Sequence, residues 1–431
     1  MTHRSFYKCL VLIVSICLGS TPASGEPAPG SEIFQVNTYT TYYQYDPKVA
    51  TDGAGAFVVV WASGFTPLAG PDGAYSGVQA RRYDSSGCAQ GDEFTVNTNT
   101  FAGEFPSSVE MHDSGSFVVA WQRIPFPQYP GQYPGSARLQ RFDSSGSLLG
   151  EEVILEPEAG EPKLGMDGQG RYVAVWPVSG SLLAQLFDAD GTALGDQIEL
   201  SLNTNDLAGF EVAMADDGEF LVVWGQRVGG GVCKIVGQRF DQSGLPLGAT
   251  FDVNSTTIGC SEQPSADYLE GDGFVVVWER GPGGGRQLLG QIFDAMGSQA
   301  GEEFQINTYN TDRQQSPRVA ADPRTGGFAV VWTRQDHPFD DTMRLLGRRF
   351  DSVGQALASE FRASAAGQEY DLILGQDIAI GHDGDMIIVW NSKTSEPGHN
   401  EIFARRILRQ IFADGFESGG LGAWSDVIPG S

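Results

Sequence analysis

Histidine and serine residues are the first place to look for catalytic or metal chemistry. His112, His337, His382 and His399 lie far apart, and none falls in a His-Glu-x-x-His spacing, which would present two imidazoles to one zinc ion. The chain has no Gly-x-Ser-x-Gly elbow, and many of its serines lie in Asp-Ser-Ser-Gly segments typical of hairpin turns. A Ser-His-Asp triad could still assemble from distant residues, because triads are defined in space. The sequence therefore predicts no catalytic residues and no metal site.

One acidic segment loosely resembles a calcium loop. It consists of Asp188-Ala189-Asp190-Gly191 and the nearby Asp196. The segment lacks the alternating ligands and the terminal glutamate of an EF-hand, and equivalent positions elsewhere hold Asp-Ser-Ser-Gly turns, which favours a hairpin. His382-Asp383-Gly384-Asp385 occupies the same turn between strands one and two as Asp113-Ser114-Gly115 in another repeat, so it is also interpreted as a turn. No cofactor is predicted, and calcium stays an open alternative without a specific motif.

Aromatic residues in long polar segments are the best candidates for ligand binding. The candidates are Tyr42, Tyr43, Tyr45, Phe126, Tyr129, Tyr133, Asp336, His337 and Phe339. Exposed tyrosines beside carboxylates can stack on sugar rings or dock into a protein groove. The alternative is that these aromatic residues pack against one another and hold the long loops in place.

A repeat supplies the elements that must position these loops. Seven of the eight tryptophans end the same kind of apolar run, at spacings between 48 and 60 residues. The runs are 57–61, 117–121, 172–176, 220–224, 274–278, 328–332 and 386–390. Short, β-branched runs of this kind are typical of strands buried on both faces. A period of this length suits one four-stranded blade of a β-propeller.

Each repeat carries four strand signals. A first strand precedes the tryptophan run, and in five repeats a proline lies 14 or 15 residues before the tryptophan, where we expect it to be the first residue of that strand. These prolines are Pro47, Pro106, Pro162, Pro264 and Pro317. The third strand ends in an aromatic residue followed by aspartate, as in Phe240-Asp241. The fourth is clearest in 93–97 and 303–307, where alternation indicates a half-exposed outer strand.

The two ends of the array predict how the ring closes. Residues 32–37 match 303–307 as a fourth strand, yet they precede the first repeat, and the repeat of Trp390 has no fourth strand after it. We therefore predict an all-β, seven-bladed β-propeller of four-stranded blades over residues 32–410, closed by pairing of the N-terminal strand with the last blade. The alternative is an eighth, decayed half-repeat.

The repeat resembles one found in secreted bacterial β-propeller proteins. Its composite pattern is Pro-x-Val-Ala, Phe-Val-Val-Val-Trp, Gly-Gln-Arg-Phe-Asp and Gly-x-Glu-Phe-x-Val-Asn, and it covers residues 32–407. The resemblance implies a fold and no particular activity. Some of those proteins also carry haemolysin-type calcium repeats, whose glycine-rich nonapeptides are absent here.

The C-terminal residues 411–431 resemble the tails of other exported bacterial proteins. They contain Asp-Gly-Phe-Glu-Ser-Gly at 414–419, followed by Trp424. The resemblance implies a sorting or attachment motif. The start of a β-sandwich module, or a strand packing on the propeller, is the alternative.

The N-terminus and the charge bear on compartment and partners. Residues 1–25 combine Arg4 and Lys8, a short apolar run and a small-residue cleavage site, which predicts a signal peptide and no transmembrane segment. We expect an exported protein, at the cell surface, outside the cell or in the periplasm. The formal net charge of -27 argues against nucleic acid as a partner. The oligomeric state is unknown, and a monomer is assumed.

Three cysteines remain after predicted cleavage. An odd number excludes a full disulfide framework. Cys233 and Cys260 are the favoured pair in an oxidising compartment, and the sequence leaves the state of Cys88 open.

Loop lengths point to one working face. Turns between strands one and two, and three and four, are short, whereas connections from strand two to strand three vary widely. Variable loops on a rigid scaffold are common binding sites. The leading hypothesis is an exported, non-enzymatic propeller that recognises a polysaccharide or a protein partner through this long-loop face. One alternative is a glycan lyase or hydrolase with its active site at the channel mouth, and another is a structural or adhesion module at the surface.

Overall fold

The structure is a computed structural model, and it describes residues 32–41, 43–64, 76–98, 102–124, 135–179, 181–201, 207–255, 259–281, 287–310, 312–335, 343–364, 375–393 and 399–409. The predicted signal peptide and C-terminal tail lie outside these residues and stay predictions. The described strands begin with β1 (Ile33–Gln35) and form seven antiparallel blades.

The blades follow one another along the chain. The first two contain β2 (Tyr43–Thr51), β3 (Phe57–Gly64), β4 (Ser76–Tyr83) and β5 (Phe94–Thr95), then β6 (Gly103–Met111), β7 (Phe117–Ile124), β8 (Ser136–Phe142) and β9 (Leu148–Pro157). The third and fourth contain β10 (Lys163–Met166), β11 (Tyr172–Val178), β12 (Ser181–Phe187) and β13 (Ala193–Ser201), then β14 (Leu207–Met214), β15 (Phe220–Gly229), β16 (Val232–Phe240) and β17 (Phe251–Asp252).

The remaining three blades repeat the pattern. They contain β18 (Cys260–Tyr268), β19 (Phe274–Gly281), β20 (Gln287–Phe293) and β21 (Phe304–Gln305), then β22 (Arg313–Ala321), β23 (Phe328–Gln335), β24 (Met343–Phe350) and β25 (Phe361–Arg362), and last β26 (Gln376–Ile380), β27 (Met386–Lys393) and β28 (Asn400–Ile407). In every blade the first strand pairs with the second and the second with the third.

The chain ends close the ring as the sequence predicts. Strand β1 pairs antiparallel with β28, with Phe34 opposite Ala404, and so supplies the fourth strand of the last blade. The contact continues beyond the strand, because the Asn37 side-chain oxygen accepts a hydrogen bond from the Ile402 backbone N–H at 2.8 Å. The prediction of a seven-bladed ring closed by both termini is confirmed, and the alternative of an eighth half-repeat is wrong.

The hydrophobic core lies between the blades. The repeat tryptophans are buried, six of them at 1 % exposure or less and Trp224 at 3 %. Each second strand packs between two neighbouring blades, which explains why both of its faces are apolar. Trp61 and Val49 of the first blade, for example, share a cluster with Val389 and Ile402 of the last.

Several other positions that recur in the repeat also serve the blades' own packing. A Cβ atom on Gly290 would lie 2.5 Å from the Phe304 ring, so only glycine leaves room for that aromatic residue. The Asn307 side chain accepts the Leu288 N–H at 2.8 Å and replaces a ladder bond where β21 has ended. The Glu303 carboxylate accepts the backbone N–H of Ser255 in the preceding blade.

The disulfide also joins two blades. Cys233 of β16 and Cys260 of β18 are bonded, with their Cα atoms 4.1 Å apart. They form a parallel pairing between the third strand of one blade and the first of the next. The predicted pairing of these two cysteines is confirmed.

Proline positions differ from the prediction. Pro47, Pro106, Pro264 and Pro317 lie inside β2, β6, β18 and β22, so the prediction that they begin their strands is wrong; Pro162 does directly precede β10. The register of each of these four strands shifts near its proline. A bulge tolerates proline because a ladder donor is already missing there. The preceding Asp46 and Ser316 have φ of 52° and 55°, and both residues line the cavity at the mouth of the channel described below.

Candidate functional site

The first strands of all seven blades line a central channel. The cavity along it has a volume of about 260 Å³ and includes residues of β2, β6, β10, β14, β18, β22 and β26. Because each first strand has the same register against its second strand, equivalent positions can be compared around the ring.

One set of equivalent positions, here called the mouth row, varies from blade to blade. Each of its residues pairs with the residue directly before a repeat tryptophan. The mouth row consists of Lys48, Ser108, Lys163, Glu211, Ser265, Arg318 and Asp377. It therefore combines three cations, two carboxylates and two hydroxyls on one ring.

A second set, here called the lower row, lies two residues further along each strand. Its members are Ala50, Glu110, Gly165, Ala213, Asp267, Ala320 and Ala379. Five are small, and the two large side chains are acidic. The basic residues of the two rows thus lie only in the mouth row, and both ionisable residues of the lower row are acids.

Lys48 and Lys163 of the mouth row bond to backbone carbonyls and form no ion pair among the described residues. Lys48 donates to the Pro47 carbonyl at 3.3 Å and Lys163 to the Ser107 carbonyl at 3.1 Å. Burial lowers the pKa of Lys48; Asp46 and Asp377 oppose this shift, whereas Lys163 and Arg318 add to it. The three cations are therefore close enough to influence one another.

Some carboxylates and hydroxyls of the two rows hold neighbouring blades together. Asp377 accepts the Val49 N–H at 3.1 Å, and Asp267 accepts the Ala321 N–H at 2.8 Å. Ser265 accepts the Val319 N–H at 3.2 Å. These side chains satisfy backbone donors on the exposed edges of inner strands, which is a structural role.

The lower-row acids are strongly perturbed. Burial raises the pKa of Asp267 to about 6, although its backbone hydrogen bonds to Ala321 and Tyr268 oppose the shift. Burial also raises the pKa of Glu110 well above its usual range, and the charges of Asp267, Asp377 and Glu211 add to this effect. The depth of the channel thus disfavours additional negative charge.

A second cavity forms the mouth of the channel on the long-loop face. Its volume is about 220 Å³, and all three mouth-row cations line it. Phe105, Gln122 and Gln376 contribute an aromatic ring and two amides, and Asp46 and Glu161 contribute carboxylates. Such a mixture of one apolar surface with a few convergent polar groups is typical of binding sites for small polar molecules.

Two of the nine predicted binding residues are described by the structure. Tyr43 is 36 % exposed. The Tyr45 hydroxyl hydrogen-bonds to Ser76 at 2.9 Å, and its ring lies 5.7 Å from that of Phe105. Tyr45 therefore packs between the first two blades behind a residue that lines the mouth. Outside the described residues lie Tyr42, Phe126, Tyr129, Tyr133, Asp336, His337 and Phe339.

Both turns considered for metal binding are hairpins. The Gly191 N–H donates to the Asp188 carbonyl at 2.9 Å, and the Thr192 N–H donates to the Asp188 carboxylate at 2.8 Å. Gly384 closes the second turn by donating to the Gly381 carbonyl at 2.8 Å. The hairpin interpretation of both segments is confirmed.

Sequence reasoning missed the mouth row. Its signal is the variable position after proline in Pro-Lys-Val-Ala at 47–50 and Pro-Arg-Val-Ala at 317–320. A charged residue at a fixed place directly before the repeated Val-Ala pair marks a position that the interfaces between blades do not dictate.

Comparison with solved structures supports the fold. The chain is similar to a protein of unknown function from Dyadobacter fermentans (TM-score 0.52, 10 % identity, 88 % of this chain and 99 % of the other). It is also similar to an ulvan lyase described as a new family of polysaccharide lyase (0.52, 11 %, 86 % and 95 %) and to the polysaccharide lyase Uly1 (0.51, 9 %, 90 % and 91 %). At such low identity the likeness concerns the fold alone.

Comparison of the amino-acid sequence alone found no relative. No model of a known family matches it, and no curated protein is similar to it. Among the described residues, no helix has the length and apolar character needed to cross a bilayer.

Proposed function

We propose that this protein is an exported, non-enzymatic propeller that binds a polysaccharide on its long-loop face, centred on the channel mouth. The observation that carries the proposal is the mouth cavity, where Phe105, Gln122 and Gln376 lie beside the three mouth-row cations. An aromatic ring can stack on a sugar ring, and amides can hydrogen-bond its hydroxyls.

The scaffold around the mouth favours binding. The cavity is built on strands of several blades, so its polar groups are held in place before a ligand arrives. Ile124, which lines the mouth, directly precedes residues 125–134, the segment with the predicted aromatic residues Phe126, Tyr129 and Tyr133. These residues would extend the same binding surface.

The predicted signal peptide is in accord with a role outside the cytoplasm. The Cys233–Cys260 disulfide adds weak support, because such bonds persist in oxidising compartments. Polysaccharides are abundant there. A protein partner at the same face is the competing outcome of the test below.

A glycan lyase at the same mouth is the second candidate, on one specific observation. Burial lowers the pKa of Lys48, and Arg318 lines the same cavity. In a β-elimination, an amine side chain would take the proton from the sugar carbon beside a carboxylate that a guanidinium neutralises. A carbon–carbon double bond would form as the glycosidic C–O bond at the next carbon breaks, and the leaving sugar oxygen would take a proton from water. Release of an unsaturated product, followed by its ultraviolet absorbance, separates this activity from binding alone.

The test compares two phenylalanine variants of the mature protein on immobilised neutral, uronate and sulfated polysaccharides. Phe105→Leu removes the aromatic face at the mouth, and Phe94→Leu makes the same change on an outer strand. We expect Phe105→Leu to weaken binding about three- to tenfold, which corresponds to the loss of one ring contact, and Phe94→Leu to leave it unchanged. Absence of binding to every polysaccharide, or equal effects of the two variants, would contradict the proposal.

A further inference from the structure

We propose that Lys48, Lys163 and Arg318 form one anion clamp, which binds the carboxylate or sulfate group of an acidic polysaccharide at the channel mouth. The inference rests on the proposed function and names the chemical class of its ligand. Its three residues come from the first, third and sixth blades, and nothing in the repeat requires a cation at these positions.

Geometry brings the three cations to one place. They are register equivalents, opposite Val60, Val175 and Val331 respectively. All three line the channel and also the mouth cavity. A group that enters the mouth therefore meets all of them.

The contacts of these cations differ from those of arginines elsewhere. Arg123, Arg239 and Arg349 form ion pairs with Glu104, Glu219 and Asp322 at 3.5, 2.7 and 2.8 Å. By contrast, the Lys48 and Lys163 ammonium groups donate only to backbone carbonyls, and the Arg318 guanidinium has no hydrogen bond or ion pair among the described residues. Donors are thus left available for a ligand.

The carboxylates close to the clamp offset part of its charge. Asp377 acts on Lys48 and Arg318, but it also accepts the Val49 N–H and does not line the mouth cavity. The charged lining of the mouth cavity is Lys48, Lys163 and Arg318 against Asp46 and Glu161. The cavity lining is therefore net positive in a protein whose formal charge is -27.

The clamp fits a planar or tetrahedral oxyanion. A guanidinium can donate two parallel hydrogen bonds to a carboxylate or sulfate, and the ammonium groups add point charges. Because burial at the depth of the channel disfavours additional negative charge, as the raised pKa values of Glu110 and Asp267 show, the anion would be held at the mouth and not drawn deeper. One anionic group of a polymer chain would enter the mouth cavity.

The experiment removes one charge at a time in the mature protein. Lys163→Gln and Arg318→Gln change the clamp, and Lys234→Gln is the matched control, since Lys234 pairs with Asp252 at 2.6 Å on the outer part of a blade. Binding is measured to immobilised polygalacturonate, dextran sulfate and unsubstituted dextran. Circular dichroism and thermal unfolding confirm that each variant is folded.

We expect each clamp variant to bind the acidic polymer about tenfold more weakly, which is the loss of one charge-assisted hydrogen bond, and the control to remain within about twofold. A preference for polygalacturonate or for dextran sulfate identifies the anionic group. If the clamp variants bind acidic polymers as the wild type does, or if dextran binds equally well, the clamp is wrong while polysaccharide binding stands.

A small-molecule measurement separates the two proposals. Calorimetric titration with galacturonate and with sodium sulfate probes the clamp without a polymer. Anion binding that Arg318→Gln abolishes, together with no affinity for any polymer, would support the three cations as an anion site but would contradict a polysaccharide as its ligand and, with it, the proposed function. Absence of both would overturn both.

Discussion

The interfaces between blades and the mouth row are built on different principles. At the interfaces the same residue recurs in blade after blade, and a tryptophan ends the apolar run of the second strand in all seven. In the mouth row, seven equivalent positions hold five residue types, from lysine to aspartate. Both regions have the same backbone register, so the backbone is not the source of the difference.

Packing explains the contrast. An interface position is enclosed by two neighbouring blades, and a change of volume there leaves a cavity or a clash. A mouth-row side chain reaches into an open channel, where many residue types fit. Variation within the repeat therefore marks positions that packing does not dictate. Those that do not bond a neighbouring blade, as Asp377 and Ser265 do, are free to serve a ligand.

The largest effect should come from an interface tryptophan. Trp278 is fully buried, and Trp278→Ala should lower the free energy of unfolding by about 3–5 kcal/mol through lost burial and a new cavity. Lys163→Gln in the mouth row should change it by less than about 1 kcal/mol. Urea unfolding followed by fluorescence measures both. Equal losses of unfolding free energy in the two variants would contradict the distinction between the interfaces and the mouth row.

A smaller loss is expected from the one disulfide interface that the structure describes. The bond closes a loop with a sequence separation of 27 residues, so the double variant Cys233→Ala/Cys260→Ala should lose about 2–4 kcal/mol. The wild type under reducing conditions is the control and should lose a similar amount. A double variant as stable as the oxidised wild type would show that packing alone holds these two blades together.

Most of the fold could be predicted from the sequence, for a physical reason. Tryptophan runs, Asp-Gly turns and the displaced strand at 32–37 each reflect local packing or turn chemistry, and the observed strands and ring closure follow them. The bulges at Pro47 and Pro317 could not be predicted, since they depend on register between strands. The mouth row could not be predicted for a related reason. Its successive members lie between 48 and 60 residues apart in the chain and come together only when the ring closes.

The smallest expected effect is a pH dependence of the free energy of unfolding, which should differ in sign between an aspartate in the channel and an aspartate in a hairpin turn. The pKa of Asp267 is raised to about 6 by burial in the channel, so its folded form holds a proton that the unfolded chain releases near its ordinary value of 3.8. The associated stability is present below that value and is lost as pH rises through about 6.

Asp241, in a hairpin turn of the repeat, should behave in the opposite way. Its hydrogen bond from Ser243 lowers the pKa of its carboxyl, so its contribution is present above the ordinary value and is lost as pH falls. Thermal unfolding of Asp267→Asn between pH 4 and pH 7, and of Asp241→Asn between about pH 2 and pH 4, tests both signs. Relative to the wild type, Asp267→Asn should gain about 2 kcal/mol as the pH rises from 4 to 7, whereas Asp241→Asn should lose stability as the pH rises from about 2 to 4. A change of the same sign with rising pH in both variants would mean that burial in the channel does not destabilise a charged carboxylate. The channel and the repeat would then differ only in which residue types they contain.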